Sequence, residues 1–70
     1  MLYVIKRLSD SCYLSSLEEA GGIITQFICT PIQTDALQLP QNSAERYCNM
    51  LNKIENNIYK VVPTMKTKEI

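Results

Sequence analysis

The 70-residue sequence contains no histidine and no tryptophan, and its three cysteines, Cys12, Cys29 and Cys48, form no CxxC pair. A zinc site needs about four ligands, most of them Cys or His, and a catalytic cysteine usually needs a histidine to hold its thiolate. The sequence therefore predicts no metal site, no cofactor and no catalytic residue. We expect three buried thiols in a reducing compartment, although spacing alone leaves a disulfide between two of them open.

An excess of positive charge and a long apolar run are also missing. The formal net charge is zero, whereas proteins that bind nucleic acid by neutralising phosphates carry clustered basic residues. No stretch of apolar residues is long enough for a membrane-spanning helix. The N-terminal charges Lys6 and Arg7 follow the apolar residues, the reverse of a signal peptide. We therefore expect a cytoplasmic protein without a membrane partner.

Residues 42–54 show the clearest helical pattern, and the rest of the chain is arranged around it. The apolar residues follow the i, i+3, i+4, i+7 spacing of one helix face, and they are Ala44, Tyr47, Cys48, Leu51 and Ile54. Asn42 and Glu45 have the spacing of a capping box at the start. The run 55–57 predicts the end, because asparagine tolerates a left-handed conformation there.

The other apolar segments have strand character. Residues 2–8 and 12–15 flank a polar turn and predict a hairpin. Residues 17–22 are interpreted as a loop, because the adjacent glycines Gly21 and Gly22 interrupt regular structure. Residues 23–29 are the clearest strand, with Ile23, Thr25, Phe27 and Cys29 on one face and Ile24, Gln26 and Ile28 on the other. Because both faces are largely apolar, we expect a central strand. Residues 37–39 alternate over a short length, and 58–62 form a final strand.

These elements predict an α+β fold. The expected architecture is a small antiparallel β-sheet of three to five strands with one helix packed on one face, in the order β-β-β-(β)-α-β. Residues 1–63 are expected to form a single domain, and residues 64–70 a flexible C-terminal tail.

The order of the motifs resembles small accessory proteins encoded by phages and prophages, many without known function. The matching residues are Tyr3-Val4-Ile5-Lys6, Tyr13-Leu14-Ser15, 36–39, 44–51 and 59–63. The chain departs from that pattern in having no tryptophan before the helix and an apolar strand at 23–29. The resemblance implies a compact α+β accessory protein and no activity. By analogy, some phage proteins of this size inhibit host defence or host enzymes.

Three groups of side chains are candidates for partner contact. Tyrosine is enriched at interface hot spots, and Tyr3 and Tyr13 lie on predicted strands together with Lys6, Arg7 and Lys60. Glu18 and Glu19 are interpreted as an acidic loop. Ile24 and Ile28 lie on the strand face opposite Ile23, Phe27 and Cys29, and one helix can cover only one of these two faces. The uncovered face predicts a homodimer or a monomer that offers this face to a partner, with the dimer slightly favoured.

The sequence favours a protein-binding module that inhibits or modulates a host protein. The alternative is a nucleic-acid-binding regulator that uses the sheet face, with Lys6, Arg7, Tyr13 and Lys60 as contacts; the neutral net charge counts against it. An enzyme is not expected, because a two-layer domain of 70 residues can hardly enclose a pocket of several hundred Å³.

Overall fold

The computed structural model describes residues 2–56 and 58–64, and within them the chain forms a four-stranded sheet, an α-helix and a short 3-10 helix. The strands are β1 (Tyr3–Arg7), β2 (Cys12–Ala20), β3 (Ile23–Thr30) and β4 (Tyr59–Pro63). The 3-10 turn covers Gln33–Asp35 and helix α1 covers Gln41–Glu55. The predicted tail lies outside the described residues, apart from Thr64.

The sheet has the strand order β3-β2-β1-β4, and every neighbouring pair is antiparallel. The chain leaves β3 at one edge, crosses through α1, and returns as β4 at the opposite edge. Helix α1 packs on one side of the sheet, mostly against β4 and β1. The predicted α+β fold is therefore confirmed, with four strands and the helix between the third and fourth.

The core lies between α1 and the sheet. The helix contributes Ala44, Cys48 and Leu51, of which Leu51 is fully buried, because these residues recur on one helix face. Cys48 and Leu51 form one core cluster with Ile5, Leu14, Ile24 and Tyr59. The predicted helix face is thus correct at these three positions. Ile54 is 52% exposed and does not belong to it.

The sequence-based predictions for the two ends of α1 differ in their outcome. Pro40 occupies the N-cap position and no side chain caps the helix, so the capping box predicted for Asn42 and Glu45 is wrong. Glu45 instead accepts a hydrogen bond from Gln41 Nε2 at 3.1 Å, one turn before it. The C-terminal prediction is confirmed, since Asn56 has φ +59° and donates its N–H to the Asn52 carbonyl.

The loop predicted for residues 17–22 is wrong, because β2 continues to Ala20. Gly21 and Gly22 alone connect β2 to β3, with φ values of +61° and +81°. Positive φ at both central residues is the requirement of the type I′ turn that joins antiparallel strands. A Cβ on either glycine would meet no atom within 4 Å, so the backbone conformation favours glycine here.

Two β-bulges change which residues of the β2–β3 hairpin share a face. The register shifts between Leu14 and Ser16 on β2, which makes Ser15 the extra residue, and opposite Glu18 and Glu19, which makes Thr25 the extra residue on β3. Ser15 Oγ donates to the Ile28 carbonyl at 3.0 Å, and Thr25 Oγ1 to the Glu18 carbonyl at 3.3 Å. A bulge inserts one residue and breaks the two-residue alternation.

The predicted faces of residues 23–29 are therefore wrong. The Thr25 bulge places Ile24 and Phe27 together on the helix side, where Ile24 joins the core and Phe27 packs against it. Ile23 and Ile28 lie on the opposite side and are 67% and 54% exposed. The strand is also an edge strand rather than the expected central one.

The short segment 37–39 does not form a regular strand. Leu39 makes an isolated antiparallel bridge with Tyr3, and the Leu37 N–H donates to the Leu14 carbonyl at 2.8 Å. The segment therefore bonds to the backbones of both β1 and β2, on its way from the 3-10 turn to α1. The described residues include no helix with the length and hydropathy that a bilayer crossing requires.

Candidate functional site

The side of the sheet opposite α1, called the outer face here, brings together three of the predicted contact residues. Lys60 of β4 lies directly across from Lys6 of β1, and Lys6 lies directly across from Tyr13 of β2. Directly paired residues share a face of an antiparallel sheet. These three residues, called the Lys–Tyr row, therefore cross three adjacent strands, and Thr30 of β3 extends the same line.

The Lys–Tyr row carries two positive charges on neighbouring strands. Two like charges opposite each other on neighbouring strands destabilise a sheet, and Lys6 and Lys60 have this arrangement. Lys6 Nζ lies 6.0 Å from the centre of the Tyr13 ring, at the outer limit of a cation–π contact. A carboxylate or phosphate placed between the two ammonium groups would relieve their repulsion.

Apolar and acidic side chains continue the outer face along the hairpin. Ser16 lies directly across from the exposed Ile28, and Glu18 directly across from Gln26. Ile23 is exposed on the same side, near the turn. Part of the outer face is covered. Val4 follows the alternation of β1 and lies on the opposite face from Ile5, and it is buried. The outer face thus combines a cationic region at the Lys–Tyr row with an apolar and acidic region on the hairpin.

The other four predicted contact residues lie on the helix side of the sheet. Ile24 is 8% exposed and belongs to the core, so it is not available to a partner. Tyr3 is half-buried and its backbone is bonded to Leu39. Arg7 forms a two-atom hydrogen-bonded ion pair with Asp10 at 2.8 and 3.1 Å. Ile24 therefore has a core position and Arg7 a local ion pair, and these residues do not join the Lys–Tyr row.

Glu19 is the fourth predicted contact residue on the helix side of the sheet. It lies on β2, connects the hairpin to the helix, and is not part of an acidic loop. Its carboxylate accepts from Arg46 Nη2 at 2.7 Å and from the Tyr47 hydroxyl at 3.1 Å. The Arg46 guanidinium also lies 5.0 Å from the centre of the Tyr47 ring. Because these contacts join β2 to α1, Glu19 orients the hairpin, whereas Glu18 faces outward.

A second polar cluster surrounds Tyr59, and no pattern in the sequence predicts it. The Tyr59 hydroxyl donates to Glu55, and Asn52 bonds both the N–H and the carbonyl of Tyr59, at 2.8 and 3.2 Å. Burial, and then the hydrogen bond to Glu55, raise the pKa of Tyr59 to about 12. Because Asn52 and Glu55 belong to α1, these hydrogen bonds fasten β4 to the helix.

The three cysteines are free thiols. Burial raises the pKa of both Cys29 and Cys48, which lowers the thiolate fraction that nucleophilic chemistry requires. Among the described residues, no three His, Cys, Asp or Glu side chains are placed to share a metal ion.

The hairpin turn and the C-terminal half of α1 also enclose a small groove of about 290 Å³. Its lining is apolar except for one cation, and comprises Gly22, Ile23, Ile24, Met50, Lys53 and Ile54. Specific ligand sites combine apolar walls with a few convergent polar groups. A single lysine side chain in this lining does not provide such a set.

The members of the Lys–Tyr row were predicted from the sequence as contact residues, but their alignment across three strands was not. The alignment depends on the strand order and register, and the antiparallel pairing of β1 with β4 joins residues more than fifty positions apart. No local pattern predicts such a long-range pairing.

Comparison of the chain with protein-family models, with curated proteins and with solved structures found no match.

Proposed function

We propose that this chain is a non-enzymatic protein-binding module that presents the outer face of its sheet to a partner protein. The observation that carries the proposal is the alignment of Lys60, Lys6 and Tyr13 across three strands. This arrangement places two like charges, neither of them paired with an acidic side chain of residues 2–56 and 58–64, beside an aromatic ring. Aromatic residues flanked by polar groups are common at the centres of protein interfaces.

The chemistry of the face defines the partner. The ammonium groups of Lys6 and Lys60 suit a carboxylate. The exposed Ile28, two residues along β3 from Thr30 on the same face, suits an apolar side chain. Glu18 on the same face disfavours a uniformly acidic surface, because like charges across an interface suppress binding. The partner that fits is a protein surface with an acidic group next to an apolar one.

The biological setting follows from the resemblance described above. A phage or prophage accessory protein of this kind would act in the host cytoplasm, where it would inhibit or modulate a host protein, such as a defence protein. The free thiols and the raised pKa values of Cys29 and Cys48 support a role in binding rather than catalysis.

The charge reversal Lys60→Glu tests the proposal. It replaces the Lys6–Lys60 repulsion with an opposite-charge pair, so the variant should fold as stably as the parent or slightly more so. It should nevertheless lose the partner that the parent captures from a host lysate at moderate salt. Lys53→Glu is the matched control, since it makes the same charge change on an exposed position of α1.

Three outcomes are informative. Capture by the parent and by Lys53→Glu, but not by Lys60→Glu, supports binding through the Lys–Tyr row. Equal capture by all three proteins would place the contact elsewhere. If the parent enriches no protein over a control chain whose surface residues have been scrambled, the protein-binding function is wrong.

The Lys–Tyr row also favours a second candidate, a nucleic-acid-binding regulator. Lysines that contact phosphates and a tyrosine that stacks on a base are the usual elements of single-strand recognition. The two functions differ in their response to salt, because each neutralised phosphate lowers log K by roughly 0.7 per log unit of salt for single strands. The absence of any gel shift with single-stranded DNA or RNA at low salt would eliminate this candidate.

A further inference from the structure

Strand β3 is an edge strand without the features that usually prevent edge pairing. The eight residues Ile23–Thr30 include no charged residue and no proline, and within the described chain β3 has a neighbour on one side only. Natural edge strands are commonly protected by lysine, proline or a bulge. The Thr25 bulge protects the beginning of β3, which leaves residues 26–30 as a regular, unprotected segment.

The direction of the backbone shows which groups face this free edge. The Ile28 carbonyl points toward β2, since it accepts the Ser15 hydroxyl at 3.0 Å. Along a regular antiparallel strand, successive residues direct their N–H and C=O groups to alternate sides. Phe27 and Cys29 therefore direct theirs away from β2, toward the free edge.

Residues 26–30 are complementary to a second copy of themselves. If a two-fold axis passes beside Ile28, an antiparallel pairing sets Ile28 opposite its own copy, Phe27 opposite Cys29, and Gln26 opposite Thr30. Each of these pairs shares one face: Ile28, Gln26 and Thr30 lie on the outer face, and Phe27 and Cys29 on the helix side. Every pair is uncharged, so no repulsion opposes the match.

We infer that this chain forms a homodimer in which the β3 strands of two copies pair antiparallel about Ile28. Phe27 and Cys29 of the two copies then exchange both N–H···O bonds of each hydrogen-bonded pair. Ile28 lies in a non-hydrogen-bonded pair, in which side chains approach most closely, so the two isoleucines contact each other across the axis and remain on the outer face. The product is a continuous sheet of eight strands.

Residues 26–30 favour a second copy of the chain as the partner at the free edge of β3. A two-fold interface uses the same patch twice and must be self-complementary, and the neutral segment 26–30 meets that condition. The opposite edge does not, because pairing β4 with its copy would bring in Lys60 and the N–H-less Pro63. The interface is short, so the dimer is expected to be weak and to depend on protein concentration.

Complementary charges at position 28 test both the dimer and its register. The parent's mass by light scattering under reducing conditions should rise from monomer toward dimer as concentration increases. Ile28→Lys and Ile28→Glu should each remain monomeric at the same concentrations, because like charges then meet on the axis. An equimolar mixture of the two variants should recover the dimer, since Lys then lies opposite Glu.

Ile54→Lys is the matched control, because it places the same charge at a similarly exposed isoleucine on α1, and it should dimerise like the parent. The amides of Phe27 and Cys29 provide a measurement on the unaltered chain, and their hydrogen exchange should slow as concentration rises. A parent that stays monomeric, or a mixture that fails to dimerise while circular dichroism shows both variants folded, would overturn the inference. The dimer does not depend on the proposed function, and Lys60→Glu should leave it intact.

Discussion

The two edges of the sheet are built for different purposes. Strand β4 carries a charge at Lys60 and ends at Pro63, and α1 packs against it more than against any other strand. Strand β3 has no charge, and two of its isoleucines, Ile23 and Ile28, are largely exposed. Because charge and proline prevent strand addition, the β4 edge serves stability, whereas the β3 edge remains available for pairing.

The largest expected effect tests whether stability is concentrated on the β4 side. Leu51 is fully buried where α1 meets the core, and Leu51→Ala should cost about 2–5 kcal/mol, from lost burial and the cavity that remains. Ile24→Ala is the counterpart on β3. Ile24 lines the open groove beside the hairpin turn. The free energy of unfolding lost in Ile24→Ala should therefore lie at the lower end of the about 2–5 kcal/mol range.

Urea denaturation followed by circular dichroism measures both variants. The comparison holds if the Leu51→Ala midpoint falls further than that of Ile24→Ala. A Leu51→Ala midpoint equal to the parent's would show that the buried face of α1 has been misassigned, and a greater loss from Ile24→Ala would place the stabilising core on the hairpin side.

The second prediction uses the Tyr59 cluster, which fastens β4 to α1. The pKa of Tyr59 is raised from 10.0 to about 12, so folding favours the protonated phenol. Its contribution is complete below pH 10 and is lost as the pH rises from about 10 to about 12. One pKa unit corresponds to about 1.4 kcal/mol, so the free energy of unfolding should fall by roughly 2–3 kcal/mol across this window.

Tyr59→Phe should remove that part of the pH dependence, while lowering stability at neutral pH through the lost hydrogen bond to Glu55. The measurement is the free energy of unfolding at several pH values, taken as the difference between parent and variant. Tyr13→Phe is the control, since it removes a hydroxyl from the outer face without touching Glu55. A difference that stays constant from pH 9 to 12 would contradict the assignment.

The third prediction concerns the two bulges that shape the β2–β3 hairpin. Thr25→Val and Ser15→Ala each remove a hydroxyl that bonds a carbonyl on the paired strand. Each change should cost about 0.5–1.5 kcal/mol, the net value of an ordinary hydrogen bond. Ser16→Ala is the control, because Ser16 is exposed and makes no side-chain hydrogen bond within residues 2–56 and 58–64. Unchanged unfolding midpoints in both variants would show that these bonds do not maintain the bulges.

These bulges explain where sequence-based prediction failed. The i, i+3, i+4, i+7 pattern of α1 depends only on residues within one element, so the buried positions Ala44, Cys48 and Leu51 were predictable. Strand faces depend on strict alternation, which Ser15 and Thr25 interrupt. Both residue types are ordinary in strands, and their bonds cross to a partner strand, so no local pattern distinguishes them.

The candidate site was also predictable only in part: its residues could be named from the sequence, but the face of the sheet on which each lies could not. Of the nine contact residues predicted from the sequence, five lie on the outer face: Lys6, Tyr13, Glu18, Ile28 and Lys60. Tyr13 was selected because tyrosine is enriched at interfaces, and Lys6 and Lys60 because they lie on strands of the same predicted sheet. Their facing could not be assigned, because it depends on register and on which side α1 covers. Ile24 shows this most clearly, since one inserted residue moves it from the predicted surface into the core.

The smallest expected effect concerns how the β3 side is held to the helix. Arg46 pairs with Glu19 at 2.7 Å, but its side chain is 56% exposed, so solvent weakens the attraction. Arg46→Ala should cost at most about 1 kcal/mol, and less in 1 M salt, where the Debye length is only about 3 Å. Lys53→Ala, an exposed cation on the same helix, is the control. A loss well above 1 kcal/mol that persists in high salt would mean that the ion pair, rather than the burial of Ile24 and Phe27, holds the hairpin against α1.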